Sequence, residues 1–418
     1  MTPDEALDWL LASESTGIKL GLENTNRLLA ACGHPEKQTL FFHVAGTNGK
    51  GSTCAMLDSI LRCAGFRVGL YTSPHLVDFR ERIRVDGEMI PKGDLALGLT
   101  RLRDALRSWN RTPTFFEIST VLALDYFSRA GCDIVVLETG MGGRLDSTNA
   151  VSPLVSAITP IDMDHMQWLG DTLEKIASEK AGIIKPGIPV VSAPQQAAAA
   201  EVLRKTAAQR GAEISFVSEP CLHPLSLAGE HQKWNAALAV ETLRASGLDI
   251  SKSAIREGLI QAEWPARFQR IGRFVVDGAH NAHSAAALAK TWCEVFADRK
   301  PTVVFGALSD KDYPEILAHL EPLAERFLFV PVDNPRSESP AVLFPRVMRP
   351  SQIHDSLETA IRAALELPDP ILVTGSLYLA GEALRIFASC ESNLFLTQKN
   401  EPLSFPLPLN VGDDAHRS

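Results

Sequence analysis

Eight consecutive residues have the chemistry of a phosphate cradle: Gly46-Thr47-Asn48-Gly49-Lys50-Gly51-Ser52-Thr53. Glycines let backbone N–H groups converge on an anion, a helix starting at the end of the run adds positive potential, and Lys50 can reach a terminal phosphate. Thr47, Asn48, Gly49, Lys50, Gly51 and Ser52 are therefore the candidate phosphate contacts. Set on Lys50, the G-x-x-x-x-G-K-[ST] pattern is missed twice, because Val44 stands where the first glycine belongs and Gly51 follows the lysine. A Gly-rich turn before a helix, with Ser52 as its cap, is the competing account.

Three more blocks follow strand-like runs: Ser73-Pro74-His75-Leu76, the stretch from Glu138 through Gly140-Met141-Gly142-Gly143-Arg144 to Asp146, and Asp162-Met163-Asp164-His165. Side chains at the carboxyl ends of neighbouring strands converge on one crevice in an open α/β sheet. Glu138 offers the hard oxygen that Mg²⁺ takes alongside nucleotide phosphates, whereas an imidazole such as His165 is a less typical ligand. Each block also has a plainer account: Ser-Pro as a turn, a lone histidine as a satisfied polar residue, Glu138 paired with Arg144. Lys180, in Ser178-Glu179-Lys180-Ala181-Gly182, reads on its own as a helix-end lysine near the negative dipole pole, with Gly182 as terminator.

The elements that must position these groups show in the apolar pattern. Residues 39–45, 67–72, 133–138, 155–161 and 189–193 are strand-like runs without strict polar alternation, as in strands covered on both faces. Residues 52–64 carry Met56, Leu57, Ile60 and Leu61 on one helical face, with Gly65 as a stop. After Phe268 a second series begins: strands at 273–277, 302–306, 327–332 and 371–374, separated by helices at 282–296, 313–326 and 356–367. The expected architecture is α/β: a mostly parallel sheet carrying the phosphate loop over residues 1–269, then a smaller Rossmann-like α/β domain over 270–390. A proline-containing tail, 391–418, is expected to be extended and disordered.

Composition narrows the class. The chain has 418 residues, 45% hydrophobic and 22% charged, enough for two or three domains with proper cores and unlike a disordered chain. Lys plus Arg is 41 and Asp plus Glu 50, so the net charge of 41 − 50 = −9 gives no general attraction for nucleic acid. Seven cysteines without a C-x-x-C pair suit reduced thiols, the N-terminus lacks the form of a signal peptide, and no apolar run is long enough for a bilayer. The expectation is a cytoplasmic protein that binds neither membrane nor nucleic acid.

Taken in order, these blocks resemble the folylpolyglutamate synthase and dihydrofolate synthase family, part of the wider group of ATP-dependent amide ligases that includes the Mur ligases. The resemblance runs from about residue 17 to 385. It adds His231-Gln232-Lys233-Trp234-Asn235-Ala236-Ala237, Pro265-Ala266-Arg267-Phe268 with Ala266 where the family has Gly, and Asp277-Gly278-Ala279-His280-Asn281. It implies that Asn235, Arg267, Asp277 and His280 join the loop in contacting ATP, that Ser73, Glu138 and His165 hold Mg²⁺, and that Lys180 is carbamylated. Lys50, Lys180 and His165 are then the catalytic set. It also implies a folate site from Leu20, Gly21, Leu22 and Glu23 (in the segment 18–24), Thr114, Phe115, Phe116 and Glu117, and Leu145, Asp146 and Ser147, this last often Ala in the family. Without the family, Phe115 and Phe116 read as core, and Asp277 as a strand-end turn residue. Ser309-Asp310-Lys311-Asp312 is either a charged turn or a segment closing over the incoming amino acid.

The implied activity is ligation of L-glutamate to dihydropteroate or a reduced folate through an acyl phosphate, by a protein acting as a monomer. The rivals are a Mur-type ligase for another carboxylate and a non-catalytic nucleotide-binding regulator.

Overall fold

The computed structural model describes residues 1–17, 19–110 and 113–389; Ile18 and the expected tail at 391–418 lie outside the described residues. Eight of the described strands form the first sheet: β1 (Leu40–Ala45), β2 (Val68–Tyr71), β3 (Ile83–Val85), β4 (Glu88–Met89), β5 (Ile134–Glu138), β6 (Val155–Ile158), β7 (Val190–Ser192) and β8 (Ile214–Phe216). Their order is β4-β3-β2-β5-β1-β6-β7-β8, parallel except for the antiparallel edge of β3 and β4. The sheet is covered on both faces, which explains the missing alternation. Phe42 and Val44 of β1 pack with helices Lys50–Cys63, Glu230–Ala245 and Lys252–Gln261. Phe41 points the other way, into a core shared with helices Pro3–Ala12, Lys92–Ala105 and Phe115–Arg129.

The second sheet contains β9 (Gln269–Ile271), β10 (Phe274–Val276), β11 (Thr302–Phe305), β12 (Arg326–Phe329), β13 (Ser351–Ile353) and β14 (Ile371–Thr374), in the order β13-β12-β11-β14-β10-β9. Only β9 is antiparallel among its described pairings. Phe305 and Phe329 belong to the core on one face, Val304 and Leu328 to that on the other. Ala266 and Phe268 already belong to these cores. The helix expected over 313–326 stops at Leu320: Glu321 keeps a right-handed backbone as its C-cap, and Pro322, which has no N–H, cannot donate the next helical bond.

In the first sheet β1 lies between β5 and β6, so the connections leaving β1, β2, β5 and β6 open on one side of the sheet. The phosphate loop, Ser73, Glu138 and the segment up to His165 all lie there. The second unit faces the same side. Asn281 Nδ2 donates to Asn48 Oδ1 at 3.1 Å, Lys311 Nζ is 3.3 Å from Asp164 Oδ1, and His283 Nδ1 is 3.1 Å from Asp162 Oδ2. Lys311 thus ties the Ser309–Asp312 segment to the first unit, while Asp312 caps the Tyr313–Leu320 helix.

Candidate active site

The loop after β1 is shaped by close approaches. Gly46 has φ 147° and Gly49 φ 90°, conformations that L side chains rarely adopt. A Cβ at Gly46 would run into the Thr159 side chain, and one at Gly49 into the Asn235 amide. The helix begins at Lys50, two residues earlier than expected, and its N-cap Gly49 provides no side-chain cap. Ser52 therefore does not cap the helix: its Oγ lies inside the first turn and accepts a 3.3 Å bond from Gln232 Nε2. The leading N–H groups are left for an anion.

Lys50 folds back, donating to Gly46 O at 3.2 Å and Thr47 O at 3.1 Å. Lys180 is 4% exposed and donates to the same Gly46 carbonyl at 2.7 Å. Burial, then the neighbouring Lys50, lowers its pKa to about 7. Lys180 does lie in the last turn of the Leu173–Ala181 helix with Gly182 as its C-cap, but its ammonium is buried against the phosphate loop. Gly182 has a right-handed φ of −61°; it is glycine because a Cβ would strike the Arg144 backbone.

Three cavities with shared walls cross the cleft. The first, about 390 Å³, is lined by Asn48, Gly49, Ser52, Asn235, Arg267, Asp277 and His280, with His231, Phe268 and Thr291 among the other wall residues. Thr47 and Lys50 border the loop without lining this cavity, and Gly51 lines the next. That second cavity is small, about 50 Å³, and holds Gly51, Ser73, Pro74, Glu138, Trp264 and Arg267. The third, about 440 Å³, contains Leu20, Ser73, Pro74, Thr114, Phe115, Phe116, Leu145, Asp146, Ser147 and His165. Arg267 bridges the first two cavities; Ser73 and Pro74 bridge the last two.

Asp277 accepts from the backbone N–H of Phe268 at 2.8 Å and of Ala279 at 2.9 Å, fixing the turn that carries Arg267. Burial raises its pKa against the pull of Arg267. His280 donates from Nδ1 to Gly278 O at 2.8 Å, and burial lowers its pKa to about 4, so it presents a neutral ring. Asn235 Nδ2 donates to Gln232 Oε1 at 3.0 Å, coupling it to the same Gln232 that holds Ser52.

The proposed metal ligands can be tested against their own bonding. Glu138 is 4% exposed and accepts a 3.2 Å bond from the Ser73 N–H; burial raises its pKa despite nearby Lys50. Among the described residues it forms no ion pair, and Arg144 pairs with Glu179 instead, at 2.8 Å. A buried unpaired carboxylate beside a serine is a donor set that suits Mg²⁺ sharing its shell with phosphate. His165 meets Ser73 across the third cavity, not the second. It holds a left-handed backbone, φ 52°, and burial lowers its pKa against the opposing charge of Asp164. For Asp164, burial is outweighed by His165, Lys311 and His280, leaving it at about 2.

In the third cavity Phe116 lies so close to Gly140 that a Cβ there would strike its ring. Asp146 is fixed by its own chain: the N–H and hydroxyl of Thr148 donate to one oxygen and the Met141 N–H to the other, at 2.8 Å. Since the Thr148 hydroxyl donates to Asp146, His43 Nε2, 2.9 Å away, carries a hydrogen and donates to Thr148. Glu117 does not reach this cavity. Its carboxylate closes a capping box on Thr114, accepting from the Thr114 N–H at 2.6 Å, and also accepts from Asn24 Nδ2 at 3.3 Å. Gly21, Glu23 and Glu117 line an adjoining groove with Leu20, while Leu22 precedes the Glu23–Ala31 helix. Two further residues belong here: Arg82, which no sequence motif marks, and His75, which stands in the Ser73–Leu76 block without an assigned role. Arg82 lines the third cavity, and His75 bonds to it.

A family model for the Mur ligase middle domain matches residues 44–219, and one for the Mur ligase glutamate ligase domain matches 266–377. The chain is 37% identical to the dihydrofolate synthase/folylpolyglutamate synthase of Bacillus subtilis, across 90% of this chain and 97% of that one. It is 35% identical to the Escherichia coli protein of the same name, across 91% and 94%. Escherichia coli FolC in complex with DHPP and ADP superposes with a TM-score of 0.86 at 33% identity, covering 93% of this chain and 98% of that one. A Yersinia pestis bifunctional folylpolyglutamate synthase/dihydrofolate synthase with AMPPNP and a Mn ion gives 0.84 at 32%, covering 93% and 98%. With identity and superposition running along nearly the whole chain, this protein belongs to the dihydrofolate synthase/folylpolyglutamate synthase family of ATP-dependent glutamate ligases.

Proposed function

We propose that the chain joins L-glutamate to the carboxylate of dihydropteroate or a reduced folate, with ATP in the first cavity and the pteridine-bearing acceptor in the third. The observation that carries this reading is the shared wall: Ser73, Glu138 and Arg267 lie where the two cavities approach each other. A γ-phosphate leaving the loop and a carboxylate from the aromatic pocket would meet there.

The acceptor carboxylate oxygen attacks the γ-phosphorus, the bond to the ADP oxygen breaks, and an acyl phosphate forms. The glutamate amine then attacks the acyl carbon, phosphate departs with the bonding pair, and the amine loses a proton as the amide forms. This chain's residues position these groups. The uncapped Lys50–Cys63 helix receives phosphate on its N–H groups, Lys50 exchanges the carbonyls of Gly46 and Thr47 for phosphate oxygens, and Arg267 stabilises the transferring charge. Ser73 and Glu138, with His165, would hold Mg²⁺, which supplies charge neutralisation at the β- and γ-phosphates when bound. Lys180, with its pKa of about 7, is available as the neutral amine that condenses with CO₂ to a carbamate, releasing a proton. Asp277, His280 and Asn235 border the nucleotide; Phe115, Phe116, Leu145, Asp146 and Ser147 border the acceptor.

An acyl phosphate hydrolyses in water, so the cleft must exclude it. Contacts of Asn281, His283 and Lys311 with the first unit support closure by the second. The proposed functional division runs through Pro265–Phe268, between an ATP-binding unit and a glutamate-ligase unit. We place the enzyme in the cytoplasm, acting as a monomer; the six free cysteines among the described residues are in keeping with a reducing compartment. The deciding experiment incubates purified protein with ATP, Mg²⁺ and labelled L-glutamate, comparing dihydropteroate with tetrahydrofolate. Label should enter a pteridine product with phosphate release; phosphate release that needs neither acceptor nor glutamate would refute the reading.

A further inference from the structure

Arg82 is only 8% exposed, yet among the described residues no carboxylate lies within ion-pair distance of it. A buried guanidinium cannot shed its charge, so it ordinarily occurs paired. The acidic groups nearest in sequence are committed elsewhere. Asp78 pairs with Arg80 at 2.7 Å, and Glu81 accepts from the N–H groups of Leu76, Val77 and Asp78 at 2.8, 2.9 and 2.8 Å. Arg82 Nε donates to His75 Nδ1 at 2.8 Å. That bond requires an unprotonated Nδ1, so His75 accepts as the neutral imidazole. His75 therefore fixes the guanidinium without neutralising it. The Phe115 ring, with its centroid 5.2 Å from the guanidinium carbon, supports one side.

The remaining guanidinium nitrogens have no protein acceptor among the described contacts, and Arg82 lines the third cavity together with Ser73, Pro74 and Phe115. The phosphate loop lies across the small second cavity, so the nucleotide has its own cations. We propose that Arg82 is a substrate-binding residue that takes a carboxylate in the acceptor cavity, its planar fork left unpaired for that purpose. The carboxylate comes from one of two sources: the acceptor, or the incoming L-glutamate. This assignment rests on the functional reading above and adds a residue that determines which substrates are read by charge.

The test uses the full chain and two substitutions, Arg82→Met, which keeps the length without charge, and Arg82→Lys, which keeps charge without the fork. Michaelis constants are measured for ATP, L-glutamate, dihydropteroate and tetrahydrofolate, with the thermal midpoint of the ligand-free protein alongside. Arg82→Met should raise the constant for the carboxylate-bearing substrate by about 10- to 100-fold, and Arg82→Lys by less, with ATP unaffected. A rise for L-glutamate with either acceptor assigns the incoming amino acid. A rise for tetrahydrofolate alone assigns its non-reacting carboxylate, and a rise for both acceptors assigns the reacting one. The ligand-free midpoint of Arg82→Met should hold or increase, since an uncompensated buried charge is removed. Constants within about twofold of wild type, or a lowered midpoint with ATP equally impaired, overturn the assignment alone. A wild type that ligates glutamate to neither acceptor overturns the functional reading, and this assignment with it.

Discussion

The proposed nucleotide cavity and the proposed acceptor cavity are prepared for their ligands in opposite ways. Around the phosphate loop, polar groups are left waiting: Asn48 Nδ2 and the hydroxyls of Thr53 and Thr159 are buried without partners among the described residues. In the acceptor cavity, Asp146 is already satisfied by Thr148 and Met141, and Thr148 is held in turn by His43. A buried donor without a partner is destabilising until something fills it. The first site should therefore tighten around its ligand, while the second is preorganised and selects by fit. Arg82 is the exception, a waiting charge within the preorganised pocket.

The largest effects should come from the waiting side. Lys50→Ala and Glu138→Ala should each reduce glutamate-dependent phosphate release by at least about 10³-fold, because in the proposed mechanism each removes a charge that serves the transferring phosphoryl group. Near-normal turnover in either variant would refute its assigned role. Lys180 comes next. Its pKa of about 7 in the folded chain lies below the ordinary 10.5, so between those pH values the unfolded chain binds the extra proton and stability rises with pH. Above about pH 7 the amine is neutral and can take up CO₂. Lys180→Ala should lose about 10²-fold in turnover and recover part of it with added short carboxylates, while ¹³C-bicarbonate should label wild type above pH 7 and lose the label on acidification. Full activity of unrescued Lys180→Ala sinks the carbamate.

On the preorganised side the expected loss is smaller and differently placed. Asp146→Asn turns an amide toward donors that the carboxylate now accepts from, so it should raise the acceptor Michaelis constant by about tenfold and leave that for ATP unchanged. A matching rise for ATP would mean that the two cavities are not independently built.

The same contrast decides what could be read from the amino-acid order. The proposed nucleotide site is made largely of contiguous backbone, so Gly46–Thr53 and Asp277–Asn281 are legible as blocks, and continuous apolar runs place β1, β5 and β6 beneath them. The acceptor site is assembled from side chains far apart in the chain. Arg82, within Phe79-Arg80-Glu81-Arg82, has no pattern that separates it from a solvated turn; only its burial does. Glu117 carries a local signal of its own. Thr114-Phe115-Phe116-Glu117 has the T-x-x-E spacing of a capping box, and that local demand uses the carboxylate that was expected to meet the pteridine. Short edge strands such as β4 and β13 lacked an apolar run long enough to register.

The smallest predicted effect tests the join between the two units. Ala266 stands where the family has glycine, and its φ is 56°, in the left-handed region where a Cβ is unfavourable. The position cannot relax outward: Ala266 is fully buried, its carbonyl accepts from the Gly278 N–H at 2.9 Å, and its N–H donates to Gln269 Oε1 at 3.0 Å. These bonds and the neighbouring Asp277–Phe268 bond hold the turn so that Arg267 reaches both the nucleotide cavity and the small one beside it. Ala266→Gly should then relieve about 1 kcal/mol of backbone strain, partly offset by the greater freedom of glycine in the unfolded chain and the lost methyl contacts. The net expectation is a thermal midpoint unchanged or raised by about 1 °C, because the unfolding entropy of a 418-residue chain is large. Because the turn keeps its hydrogen bonds, turnover should change little. A midpoint that falls would show that the methyl packs more favourably than the φ is strained, and that this chain has adapted its core to the alanine.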